Sequence, residues 1–201
     1  MNRNGDLRRS LLEVDDSVLI IIDIQDSFLN KYDEKKTQSL VSKVVWLIHA
    51  ARRQDVPIVA MAEDIENAGS LNQEILAALP DDTNVHSKDF FDLTGNPDIL
   101  VDINGTGRRT AVCVGMETDV CVAQTAIGLL GEGYRVVALK DAVATTEWDE
   151  EIGLSRMREA GVLISSVKAV YYEWVRSVSG CRQMDISAPE LSVKRPPQLV
   201  L

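Results

Sequence analysis

The chain has 201 residues, the length of one ordinary domain, and 45% of them are hydrophobic, so we expect a globular fold that needs no disulfide or metal. Its 31 acidic and 21 basic residues give a formal net charge of -10, which disfavours nucleic acid and anionic membranes as partners. The three cysteines are not spaced as a disulfide framework, and the sequence has neither a signal-peptide pattern nor a membrane span, so we expect a cytoplasmic protein.

Short apolar runs alternate with segments of helical periodicity. Residues 18–22 are all Val, Leu or Ile, which is typical of a strand buried on both faces. In chain order we predict strand 18–22, helix 41–51, strand 56–61, helix 71–79, strand 84–87, helix 99–103, a turn at 104–107, strand 110–115, helix 120–130, strand 135–139, helix 150–160 and strand 162–167. This alternation predicts an α/β fold of three layers, with a six-stranded parallel sheet and helices on both faces.

The end of the chain has a different pattern. Residues 181–201 contain three prolines and scattered apolar residues without a clear period, so we divide the chain into a domain at 1–180 and an irregular C-terminal extension at 181–201. The apolar side chains of this extension need a surface to cover, and a neighbouring subunit is one candidate. We therefore expect a homo-oligomer, a dimer or a tetramer.

Reactive side chains stand at the ends of the predicted strands. Asp23 follows the first strand, Lys88 follows the third, and Cys121 opens the helix after the fourth. Ligands of such folds bind outside the carboxyl ends of the strands, and in a strand order of 3-2-1-4-5-6 Asp23 would face Cys121. Taken singly, Asp23 is slightly better explained as a loop cap, and a lone Lys88 would normally be a solvated surface charge.

Cys121 is the candidate nucleophile. Capping by Thr118 or Asp119 would place it in the first turn of a helix, where the positive helix end favours a thiolate. Lys88 nearby would lower the thiol pKa further, and a carboxylate could carry the released proton. The alternative is a small buried core residue, and spacing alone does not separate the two.

The remaining candidates are weaker. Cys113 lies within an apolar strand and is expected in the core, while Cys181 is expected to be a free thiol without a role. Glu63, Asp64 and Glu66 form an acidic cluster that could hold a hard cation, but a solvated loop is favoured. The two histidines share no ligand spacing, so we predict no metal and no cofactor.

Several of these segments resemble the isochorismatase-like cysteine hydrolases. Residues 23–28 (D-I-Q-D-S-F) resemble the D-x-Q-x-x-F opening of that family, and residues 115–122 (G-M-E-T-D-V-C-V) resemble its G-x-x-T-D-x-C-V segment. Lys88 lies between them, as the family's lysine does, and Asp141 with Ala142 resembles a D-A pair of the family. The resemblance covers residues 18–170 and implies a Rossmann-like, isochorismatase-like fold.

The resemblance implies a role for each matching residue. Cys121 would attack a carbonyl or nitrile-like carbon, Asp23 would take and return the thiol proton, and Lys88 would hold the thiolate and orient Asp23. It also implies a cis peptide bond between Met116 and Glu117. The backbone N–H groups of Glu117 and Cys121 would then form the oxyanion hole.

Departures from the family pattern narrow the chemistry but leave the substrate open. Residues 61–66 contain no histidine, which disfavours a metal-dependent nicotinamidase, and Cys121 disfavours the isochorismatases that cleave a vinyl ether. We expect Phe28 and Phe91 in a substrate pocket whose wall differs from the family's. The sequence thus predicts a hydrolase that cleaves a small amide or related C–N bond of a small-molecule substrate through a thioester on Cys121. The alternatives are a hydrolase of the same fold that acts on a non-amide molecule and a non-catalytic scaffold.

Overall fold

A computed structural model describes residues 11–201, and the first ten residues, the start of the expected domain, lie outside the described part. Within residues 11–201 the chain forms one six-stranded sheet in the order β3-β2-β1-β4-β5-β6, and every pair of neighbouring strands is parallel. The strands are β1 Ser17–Ile22, β2 Ile58–Glu63, β3 Val85–Lys88, β4 Thr110–Met116, β5 Arg135–Ala144 and β6 Leu163–Ser165. The predicted fold class is confirmed, and the strand order is the one assumed in placing Asp23 opposite Cys121.

The helices lie on both faces of this sheet. The described residues form ten α-helices: α1 Asp26–Leu29, α2 Glu34–Arg52, α3 Ile65–Ala68, α4 Gln73–Ala78, α5 Pro97–Gly105, α6 Ala123–Gly131, α7 Glu151–Ala160, α8 Val167–Val175, α9 Val178–Ser187 and α10 Pro189–Val193. Residues of α2, α4 and α8 pack into the core on one face, and residues of α5, α6 and α7 pack into the core on the other. None of the helices in this part of the chain is long and apolar enough to cross a membrane.

The central strand β1 explains the unbroken apolar run. Leu19 and Ile21 point into the core on the α2 side, while Val18, Ile20 and Ile22 point into the core on the α6 side. All five side chains are fully buried, because successive residues of a strand alternate between its two faces and both faces are covered. A parallel sheet with helices on both sides therefore needs apolar residues at every position of its central strand.

Strand β5 is longer than the sequence pattern predicts. The predicted strand ends at residue 139 because Lys140 and Asp141 break the apolar run, but pairing with β4 resumes after a register shift and reaches Ala144. Asp141 accepts a hydrogen bond from the backbone N–H of Val167 at 2.9 Å, so this residue of the D-A pair anchors the start of α8.

Two helix boundaries also differ from the prediction. Helix α2 begins at Glu34, seven residues earlier than the predicted start at 41, because the side chain of Asp33 accepts a hydrogen bond from the N–H of Lys36 and caps it. The turn expected at 104–107 is partly helical, since α5 continues to Gly105. In both cases the helix is extended by residues outside the apolar period.

The C-terminal segment differs from the predicted irregular extension. It is not an irregular extension: α9 spans the expected boundary at residue 180, and α10 follows it. The indole N–H of Trp46 in α2 donates a 2.8 Å hydrogen bond to the carbonyl of Leu191, and the side chains of Leu191 and Leu199 are buried in the core. The segment therefore docks on its own chain. No residue of α9 is buried and α10 has only five residues, so neither helix displays an apolar period.

Candidate active site

The predicted reactive residues meet at the carboxyl ends of the strands. Asp23 directly follows β1, Lys88 ends β3, and Cys121 lies in the turn after β4. The Nζ atom of Lys88 is 2.8 Å from Oδ2 of Asp23 and 3.4 Å from Sγ of Cys121. All three residues are buried, so the structure brings together the three side chains that the sequence analysis singled out.

The backbone around Cys121 differs from a simple helix start. The peptide bond between Met116 and Glu117 is cis. Residues Thr118–Val122 form one turn of π-helix before α6, and no side chain caps it. The expected cap by Thr118 or Asp119 is therefore wrong. Asp119 instead accepts a 2.5 Å hydrogen bond from the hydroxyl of Thr145, in the segment after β5, so its carboxylate points to that segment and leaves the N–H groups of the turn uncapped.

Asp23 is held by the backbone and by Gln25. Its φ of 50° is in the left-handed region, and its N–H donates to the carbonyl of Met61 at 3.1 Å. The buried amide of Gln25 donates to the carbonyl of Glu63 at 2.8 Å and accepts from the N–H of Glu63 at 2.8 Å. These bonds tie the segment after β1 to the end of β2, so Asp23 has little freedom to leave the site.

Glu63 is a site residue that the sequence analysis placed in a solvated loop. It is the last residue of β2 and pairs in register with Lys88 of β3. Its Oε2 atom is 3.7 Å from Nζ of Lys88 and accepts a hydrogen bond from the thiol of Cys121 at 3.4 Å. The predicted strand ended at residue 61, two residues short. Extending it to the shared edge of the sheet would have identified Glu63.

The cluster does not have the character of a metal site. Asp23, Glu63 and Cys121 offer ligand atoms that all lie within 4.8 Å of one another. The ammonium of Lys88 is in contact with all three, at 2.8, 3.7 and 3.4 Å respectively. Because this position already holds a fixed positive charge, a metal cation there would be repelled. The other two members of the acidic cluster, Asp64 and Glu66, are exposed.

The charge states of the cluster follow from its burial. Burial raises the pKa of Asp23 to about 6, although the Lys88 ammonium acts in the opposite direction. Burial lowers the pKa of Lys88, but the negative charge of Asp23, its hydrogen bond to the ammonium and the charge of Glu63 act in the opposite direction, and the net effect raises the pKa, so the amine stays protonated. At neutral pH the site therefore holds a carboxylate beside an ammonium.

The thiol of Cys121 differs from the expectation of a resting thiolate. Burial raises its pKa well above the usual range, and the charge of Asp23 raises it further, while Lys88 lowers it only in part. The predicted thiolate rests on the positive helix end and on Lys88, and it leaves out the carboxylate of Glu63. Because the sulfur is buried and both Asp23 and Glu63 lie beside it, the neutral thiol is the resting form.

The two phenylalanines expected in the pocket lie in different settings. The ring of Phe91 is half-exposed, with its centroid 5.9 Å from Nζ of Lys88, so it borders the cluster. Phe28 packs against the core, and its ring lies beneath Nζ of Lys31 at 4.6 Å. Lys31 is in turn 4.0 Å from Oε1 of Glu117. Phe28 is thus linked to the residue that follows the cis peptide bond.

Comparison with known proteins adds a family match to this geometry. The family model described as the isochorismatase domain matches residues 17–169. The secreted isochorismatase effector Isc1 of Phytophthora sojae is 30% identical over 161 residues, which cover 78% of this chain and 76% of the relative. The MAR1 ribonuclease of Caenorhabditis elegans superposes with a TM-score of 0.82 at 21% identity, over 96% of this chain and 98% of that one. The YcaC gene product of Escherichia coli, an octameric hydrolase of unknown specificity, superposes with a TM-score of 0.79 at 21% identity, over 91% and 93% of the two chains.

Proposed function

The chain belongs to the isochorismatase family, and from this premise we propose that it is a hydrolase that cleaves a small amide or related C–N bond through a thioester on Cys121. One observation carries the proposal: the sulfur of Cys121 lies within 4.8 Å of the buried carboxylate of Asp23 and 3.4 Å from the buried ammonium of Lys88. A nucleophile, a proton acceptor and a fixed positive charge are the parts that covalent catalysis by a thiol requires.

The proposed reaction begins with a neutral thiol. Asp23 accepts the thiol proton as Sγ of Cys121 attacks the substrate carbonyl carbon, and the ammonium of Lys88 stabilises the negative charge while it moves between the two groups. The backbone N–H groups of Glu117 and Cys121 donate to the oxyanion. Asp23 then returns the proton to the leaving nitrogen, and the C–N bond breaks to leave a thioester.

Hydrolysis of the thioester completes the proposed cycle. A water oxygen attacks the thioester carbon while Asp23 accepts a proton from that water molecule. The C–S bond breaks, the sulfur takes the proton back from Asp23, and the acid product leaves. No external reductant or cofactor is needed for either half of the cycle, because each proton that Asp23 accepts is returned.

The test is to screen small amides and ureido compounds for release of ammonia or an amine. With an active compound, we expect a covalent acyl mass on Cys121 after a rapid acid quench and no turnover by Cys121→Ala. Cys113→Ala serves as the control, because that cysteine is fully buried in the core on the α6 side. Turnover by Cys121→Ala at the parent rate would refute the proposed nucleophile.

Two alternatives are distinguished by the same experiment. A hydrolase acting on a non-amide molecule would turn over its substrate without an acyl mass on Cys121. A scaffold would show neither turnover nor adduct, but a scaffold has no need of a buried Asp23–Lys88 ion pair, whose desolvation is costly. The ribonuclease among the fold neighbours is 21% identical, and the net charge of -10 disfavours a phosphate polymer as substrate.

We also propose that the protein is a homo-oligomer. Ile186, Val193 and Val200 on the C-terminal segment are 75%, 85% and 71% exposed, and Trp148 is 91% exposed. Apolar side chains of this size are commonly covered by a partner, and an octamer occurs among proteins of this fold. Sedimentation at micromolar concentration should give a dimer, tetramer or larger closed assembly, and a monomer would contradict the proposal.

We propose a cytoplasmic location because the three cysteines are all free, as is usual in a reducing compartment. The Phytophthora sojae relative is named as secreted, so secretion is the alternative location. Fractionation of the source cells should recover the chain with cytoplasmic markers, and recovery from the medium would contradict this.

A further inference from the structure

Glu63 is the carboxylate of the site that an arriving molecule can reach. The side chains of Asp23 and Lys88 are fully buried, whereas the side chain of Glu63 is 25% exposed. Its Oε2 atom nevertheless lies 3.4 Å from Sγ of Cys121, the atom that would attack the substrate. A molecule bound at the sulfur must therefore contact Glu63.

The position of Glu63 is fixed by its backbone. The buried Gln25 pairs with both its N–H and its carbonyl at 2.8 Å. The next residue, Asp64, has a φ of 42° and donates its N–H to the carbonyl of Lys88 at 3.1 Å. Glu63 is held at the sulfur in this way, unlike a long surface side chain that is free to turn to solvent.

The charges around the sulfur do not cancel. Lys88 is 2.8 Å from Asp23 but 3.7 Å from Glu63, and the thiol between the two carboxylates is neutral, so one negative charge is left over on the solvent side. The open side of the site therefore offers a carboxylate acceptor and negative charge, while the ammonium of Lys88 is already engaged by the buried Asp23.

We propose that Glu63 is a specificity-determining residue, which binds N–H groups of a neutral or cationic, nitrogen-rich substrate such as a ureido, amidino or guanidino compound. The same carboxylate disfavours substrates that carry a carboxylate beside the scissile bond. This inference rests on the proposed function, because it takes Cys121 as the attacking atom. It adds the chemical class of the substrate.

The test uses three methanethiosulfonate reagents, one cationic (aminoethyl), one anionic (sulfonatoethyl) and one neutral (methyl). Their rates of reaction at Cys121 of the full chain are measured by peptide mass spectrometry and divided by their rates with glutathione. A carboxylate in contact with the sulfur attracts the cationic reagent and repels the anionic one. Even at a dielectric constant near that of water, the two effects together should give a corrected cationic-to-anionic ratio of at least about tenfold. In Glu63→Gln this ratio should fall to about one, while the rate with the neutral reagent changes less.

Glu66→Gln is the matched control. It removes the same charge from an exposed residue of the same segment and so changes the net charge of -10 by the same amount. Because Glu66 is not in contact with the sulfur, we expect this variant to leave the cationic-to-anionic ratio unchanged. A ratio that is the same in Glu63→Gln and the parent, with Cys121 still labelled, overturns the role of Glu63 and leaves the nucleophile intact. Failure of all three reagents to label Cys121 overturns both, because each needs an accessible sulfur.

A second measurement on the parent protein covers the case in which Glu63→Gln does not fold. In about 1 M salt the field of distant charges is screened over about 3 Å, while a carboxylate in contact with the sulfur is screened much less. The cationic-to-anionic ratio should therefore persist in high salt. A fall of the ratio to one would overturn the proposal.

Discussion

At the scale of single residues, the site is organised around one proton that two groups can hold. Burial raises the pKa of Asp23 and raises that of Cys121 further, so at neutral pH the carboxyl is ionised and the thiol keeps its proton. Such a pair cannot attack as a preformed thiolate. It reacts when the carboxylate takes the proton during attack, which makes the ionisation of Asp23 the condition for activity.

The first prediction is an acid limit set by Asp23. Since its pKa is about 6, alkylation of Cys121 by iodoacetamide should slow as the pH falls through about 6, because the protonated carboxyl can no longer accept the thiol proton. The measurement is the alkylation rate by peptide mass spectrometry from about pH 5 to about pH 8. Asp23→Asn should lose this limit, and Asp64→Asn should keep it. An unchanged profile in Asp23→Asn would show that another group controls the thiol.

The second prediction concerns the stability of the buried ion pair. Asp23→Asn leaves the Lys88 ammonium buried with only Glu63 at 3.7 Å, and Lys88→Met leaves a buried carboxylate, so each change should lower the free energy of unfolding by about 3–5 kcal/mol. The double variant should cost clearly less than the sum, because it removes both charges. The measurement is equilibrium unfolding in urea.

The control for that cycle is a surface pair of similar length. Lys36 lies 2.9 Å from Glu150, but both side chains are about half-exposed, so removing either partner should change the free energy of unfolding by about 1 kcal/mol or less. Equal costs for the two pairs would contradict the argument that burial, rather than distance, determines the energy.

At the scale of the elements, the site depends on how closely β4 passes β1. Gly115 pairs with Ile22 and has a φ of 137°, and a Cβ atom placed there would be 1.9 Å from the carbonyl oxygen of Ile22. Directly after this close contact, the chain passes from β4 into the π-helical turn that carries Cys121. This contact explains why the family segment has a glycine at position 115: any larger residue would separate the two strands that bring Asp23 and Cys121 together.

The third prediction follows from this contact. Gly115→Ala should lower the free energy of unfolding by about 3 kcal/mol or more, or prevent folding, because neither backbone can move without breaking the central sheet. Gly131→Ala is the matched control: a Cβ atom there meets nothing within 4 Å, and the substitution should change stability by about 1 kcal/mol at most. Urea unfolding measures both. Equal stability of the two variants would refute the contact.

At the scale of the whole molecule, the C-terminal segment completes the core. Leu191 and Leu199 fill the α2 side together with residues of β1, β4 and α8, and the buried indole of Trp46 has its hydrogen-bond partner in the carbonyl of Leu191. The same segment presents exposed Ile186, Val193 and Val200 on its outer side. Its inner face thus belongs to the monomer, and only its outer face is free for a second copy.

The fourth prediction separates these two faces. Leu191→Ala should lower the free energy of unfolding by about 2–4 kcal/mol, because it leaves a cavity against α2, and it should alter the fluorescence of Trp46. Val193→Ala should change the stability of the subunit by about 0.5 kcal/mol or less, because that side chain is 85% exposed, and it should weaken assembly if the outer face is the interface. Equal effects of the two changes on subunit unfolding would contradict this division.

The sequence by itself determined the alternation of strands and helices and the positions of Asp23, Lys88 and Cys121. The apolar run of β1 permits only a strand covered on both faces, and parallel strands bring their carboxyl ends to one edge. Residues that follow β1, end β3 and follow β4 must then lie near one another. Local pattern and sheet geometry are enough for this step, and the matching family segments point to the same residues.

Only the tertiary structure decided the place of Glu63, the charge state of the thiol and the docking of the C-terminal segment. Glu63 and Cys121 are 58 residues apart, and whether a carboxylate faces solvent or sulfur depends on where β2 ends. The protonation of Cys121 depends on how much water and which charges surround it, and no spacing encodes either quantity. The C-terminal helices have no apolar period, so their place is set by the contacts of α10 with α2 and of α9 with α8, which arise only when the rest of the chain has folded.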